Sequence, residues 1–108
     1  MFKQVTPSAQ EMIKAKRLAP IVDRVFQSIQ TLQSSWPQIQ KVEVEWEKDP
    51  EVEGWEMLSV TLWYQGFPDD ARNCWRALDK VMNGLRQKLS KADLDKLNRF
   101  ISVGVDVE

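Results

Sequence analysis

Residues 40–67, QKVEVEWEKDPEVEGWEMLSVTLWYQGF, decide the fold, because they read as two strands joined by an acidic turn. In the first run Val42, Val44 and Trp46 alternate with Glu43, Glu45 and Glu47. A period of two puts the apolar groups on one face of a strand and the carboxylates on the other. The second run, from Trp55 to Tyr64, offers two apolar faces, Leu58, Val60, Leu62 and Tyr64 against Trp55, Met57, Ser59, Thr61 and Trp63. A hairpin must place one face of each strand together, and the Leu/Val set suits a core better. Leu58, Val60 and Leu62 are therefore assigned to the side of Val42 and Val44. Trp55, Met57 and Trp63 then share a face with the glutamates.

Upstream, Thr6-Pro7-Ser8 offers a capping hydroxyl and a proline tolerated in a first turn, so a helix is expected over about 8–18. Lys14, Lys16 and Arg17 give it a basic side. Pro20 calls for a kink or restart near Ala19. Ile21, Val22, Val25, Phe26, Ile29 and Leu32 then fall on one side at helical spacing until Ser34-Ser35-Trp36-Pro37 stops the run. Downstream, Gly66-Phe67-Pro68-Asp69-Asp70 turns the chain into a helix whose first turn carries acids where the positive end favours them. Ala71, Cys74, Trp75, Leu78, Val81, Met82, Leu85 and Leu89 form its apolar stripe. Ser90 with Asp93 resembles a capping box and opens a short helix carrying Leu94 and Leu97. The chain closes on Ile101, Val103, Val105 and Val107, which alternate with Ser102, Gly104, Asp106 and Glu108 as in a one-faced strand.

The expected fold is a single two-layer α+β domain over residues 1–108, in the order α-β-β-α-α-β. Its three-stranded mixed sheet carries its helices mainly on the Val42/Val60/Val103 face. The path from the second strand to the last is long enough for a right-handed crossover, which makes those strands parallel. The sequence leaves open whether the last strand lies beside the second (1-2-3) or beyond the first (2-1-3); the expectation carried forward is 2-1-3.

Composition narrows the function. With 43% apolar and 29% charged residues the chain has the make-up of a soluble globular domain. Its apolar runs fall far short of the roughly 18 to 20 residues of a membrane span, and no signal-peptide pattern opens it, so a cytoplasmic protein is expected. A lone cysteine, Cys74, excludes an internal disulfide and is read as a small core residue; the absence of histidine removes the commonest metal ligand and catalytic base. No Gly-rich phosphate loop and no Asp/Glu-x-Lys nuclease pattern occurs. Asp93-x-Asp95 lacks the glycine of a calcium loop. No catalytic residue, metal site or cofactor is assigned.

Charge is segregated although the net value is −1. Residues 43–56 hold seven acids against Lys48 alone. Like charges on one strand face repel, a cationic partner relieves them, and a polyanion such as nucleic acid is disfavoured. Trp36, Trp46 and Trp75 are read as core or core-end residues. Trp55, Met57 and Trp63, with Glu43, Glu45 and Glu47, are the candidate partner surface, unless the basic helix 8–18 folds over them. Three classes follow: a non-catalytic module binding a basic or amphipathic protein, a homodimer or larger assembly whose sheets pack face to face around a small ligand, and a carboxylate-dependent enzyme. The first is the expectation carried forward.

Overall fold

The computed structural model describes residues 2–108. In chain order it contains β1 (Phe2–Val5), α1 (Pro7–Ala15), α2 (Ala19–Ser35), β2 (Ile39–Lys48), β3 (Glu56–Tyr64), α3 (Pro68–Lys88), α4 (Lys91–Phe100) and β4 (Ile101–Val107). The protein is an α+β fold with a four-stranded mixed sheet in the order β1-β2-β3-β4. β1 runs parallel to β2, β2 antiparallel to β3, and β3 parallel to β4.

Two expectations are corrected here. The sheet has four strands, not three, because Phe2–Val5 adds a strand too short to show a period in sequence. The order is not 2-1-3, because β1 already occupies the free flank of β2 and leaves β4 only the flank of β3. The expected parallel pairing of the last strand with its predecessor is present, in the register Leu58↔Ile101, Val60↔Val103 and Leu62↔Val105.

The hairpin register, Val42↔Leu62, Val44↔Val60 and Trp46↔Leu58, sets the apolar faces together as the alternation demands. These side chains, except Trp46, which is partly buried against them, join Ala9, Leu18, Val25, Ile29, Leu78 and Leu97 in one buried cluster, so all four helices lie on one side of the sheet. Topology then dictates an asymmetry. The β1→β2 and β3→β4 connections cross on the same side and step the same way across the sheet, while their strands run in opposite directions. Their hands are therefore opposite, and one of the two has the left-handed sense that such connections avoid in about 98% of cases. The right-handed crossover expected from sequence holds for one of them at most.

Local chemistry explains the helix boundaries. Thr6 caps α1 by accepting from the Ala9 N–H at 3.3 Å, and Ser90 caps α4 by accepting from the Asp93 N–H at 3.2 Å. Between α1 and α2 the Leu18 N–H reaches back to the Ile13 carbonyl at 2.8 Å and the Arg17 N–H to Lys14 at 3.2 Å. That six-residue closure needs a left-handed residue, and Arg17 takes it at φ 55°. Leu18 is driven fully into the core, and α2 restarts at Ala19 with Pro20 in its first turn.

The basic helix does not fold over the glutamate face. α1 buries Ala9 in the core, and Lys16 just beyond it holds its Nζ 5.7 Å from the Phe100 ring of α4, so both belong to the helix layer. A second correction of placement concerns Trp75. It sits on the flank of the α3 stripe and is 45% exposed. Its ring leaves the core and lies against Gly104, where a Cβ would meet its Cη2 at 3.1 Å.

Candidate interaction face

Among the described residues no helix covers the other side of the sheet, and the register decides what it presents. Lys41 lies opposite Trp63, Glu43 opposite Thr61, Glu45 opposite Ser59 and Glu47 opposite Met57. Across β3, Ser59 faces Ser102, Thr61 faces Gly104 and Trp63 faces Asp106. Five of the six residues assigned to a partner surface from sequence, Glu43, Glu45, Glu47, Met57 and Trp63, are thus brought together on this face. Trp55 precedes β3 in the turn, where its carbonyl accepts from the Asp49 N–H at 3.3 Å and its side chain is 42% exposed.

Trp63 is fixed rather than loose. Its indole N–H donates to Glu43 Oε2 at 2.9 Å, and Lys41 Nζ lies 5.5 Å from the ring centroid and 4.0 Å from the same carboxylate. A half-buried aromatic held by a hydrogen bond and a cation presents a preorganised surface. At the hairpin end Lys48 pairs with Glu56 at 3.5 Å. Glu45 and Glu47 pair with no cation among the described residues. Hydrogen bonding to Glu43 first, then loss of water and repulsion from Glu43 and Glu47, raise the Glu45 carboxyl above its ordinary value. Negative charge on this row is held against repulsion.

On each edge strand one outward-facing backbone group is capped by a side chain. Thr6 donates to Val44 across the β1–β2 pair, so Val5 turns its polar groups outward, where Gln10 Nε2 donates to the Val5 carbonyl at 3.1 Å. On β4, Glu108 donates to Tyr64, which turns Val107 outward, and the Val107 N–H donates to Asp106 Oδ1 at 2.8 Å. Trp75 lies across the same strand at Gly104.

The alternation had already placed Ser59 and Thr61 on the glutamate side, whereas Lys41, Ser102, Gly104 and Asp106 were missed as members of the face. Lys41 was legible, since it extends the period of Glu43, Glu45 and Glu47 by one step. The β4 residues were recognised as the polar side of a strand, but the 2-1-3 order placed them away from Met57 and Trp63.

Elsewhere the chemistry is quiet. Cys74 is fully buried, and burial pushes its thiol up to about 11, which makes it a poor nucleophile near neutral pH. Among the described residues no cluster of three or more cysteine, aspartate or glutamate side chains converges as a metal ion requires, and no helix is long and apolar enough to cross a membrane. Compared with known family models, curated proteins and solved structures, the chain matches none.

Proposed function

We propose that the protein is a non-catalytic interaction module that binds a basic protein through the uncovered face of its sheet, working in the cytoplasm. The observation that carries this reading is the unpaired carboxylate row Glu45 and Glu47 beside the anchored Trp63, on a sheet face that no helix covers. Aromatic groups ringed by charge are typical of interfaces, and a row of one sign selects a partner of the other. Face-to-face self-association fits less well, because it sets two glutamate rows into one interface.

Replacing Glu43, Glu45 and Glu47 together with glutamine tests the reading. Captured from its source cell, the wild-type protein should retain a basic partner, and the triple variant should lose association rate and most of its salt dependence while remaining folded. An unchanged partner set with unchanged salt dependence would remove the face from the account.

A further inference from the structure

We infer that the element received by this face is an α-helix of the partner, basic along one side, lying lengthwise in the trough above β3 and β4. The inference rests on the reading of the sheet face as the interaction surface and specifies what docks there. Its starting point is a hollow of about 240 Å³ whose lining includes Ser59, Thr61, Ser102 and Gly104, with Trp75 and Asp106 at its outer side. The floor is built of small side chains, and Gly104 contributes none. A side chain there would also press on Trp75. The opposite wall is the glutamate row of β2, which stands next to β3 in register with Ser59 and Thr61.

Width, spacing and backbone chemistry select the occupant. From β2 to β4 is two strand spacings, about 9.6 Å, close to the roughly 10 Å diameter of a helix. Alternate carboxylates on β2 stand roughly 7 Å apart, and side chains four residues apart on a helix are separated by about 6 Å of rise, so a stripe of lysines or arginines meets the row in step. A sheet face offers side chains but no free backbone groups. An extended partner would therefore lie on it with its own N–H and C=O unpaired, whereas a helix brings those bonds already made.

The test uses the full chain and two synthetic peptides of about 18 residues, identical in Ala, Leu and Lys content. One places lysine at every fourth position; the other places the same number of lysines at every second position of its central half, with the leucines between them and the alanines at the two ends. Calorimetry and circular dichroism should show the first binding at least about tenfold more tightly, a difference of about 1.4 kcal/mol, with gain of helix. Ser102→Lys, at an exposed position on the trough floor, and Thr61→Lys should each abolish the preference. Equal or tighter binding of the alternating peptide overturns the helix. If that happens while the glutamine triple variant still loses its basic partner, the face survives and only the occupant is wrong. If neither peptide binds, or if helical binding is indifferent to both lysine substitutions, the trough is not the seat.

Discussion

Arg17 occupies a backbone conformation that costs a residue with a Cβ roughly 1 to 2 kcal/mol, and its side chain is exposed. Arg17→Gly should therefore raise stability by about 0.5 to 1 kcal/mol, read as a higher urea midpoint at unchanged slope. A fall in midpoint would mean that the side chain itself ties α1 to α2. Trp75 teaches the opposite lesson about reading residues. Its place beside Ala71, Cys74 and Leu78 on the helical wheel marked it as core, and the helix period gives no hint that the ring turns outward to Gly104. That outcome needs a strand edge beside the helix and a residue without a side chain to receive the ring, neither of which is local information. Arg17, by contrast, sits where a glycine would have announced the turn, and only Pro20 signalled that α1 had to end.

At the scale of elements, legibility followed length. α3 carries a stripe over 21 residues, and Ala71, Cys74, Leu78, Met82 and Leu85 are buried along it as the period requires. Leu78 is fully buried, so Leu78→Ala should cost about 2 to 5 kcal/mol through lost transfer energy and the cavity left behind. A loss below about 1 kcal/mol in denaturant unfolding would place the stripe outside the core. β2 and β3 were equally plain, because ten and nine residues of alternation fix a face. β1 was not, since four residues offer two side chains per face and the strand exists only because β2 has a free flank for it.

For the whole molecule, the sequence contained the two layers and which face of each strand is buried, but not the arrangement that creates the candidate site. The strand order depends on β1, and the order decides whether Ser102 and Gly104 lie next to Ser59 and Thr61 or across the sheet from them. One crossover also has the rare hand, which no pattern of residues signals. What the chain did disclose was the charge and the aromatics of the face, because both are written into the period of the hairpin. The central claim is that this face serves a partner and not the core. It is tested most directly by replacing Trp55 and Trp63 with serine and measuring stability and partner binding on the same preparation. We predict a change in folding free energy of no more than about 2 kcal/mol, most of it from the half-buried Trp63 and its bond to Glu43, and a loss of binding by several hundredfold or more, given about 2 kcal/mol for each aromatic anchor. Destabilisation by several kcal/mol with binding intact would show that the two rings support the fold and that the partner surface lies elsewhere.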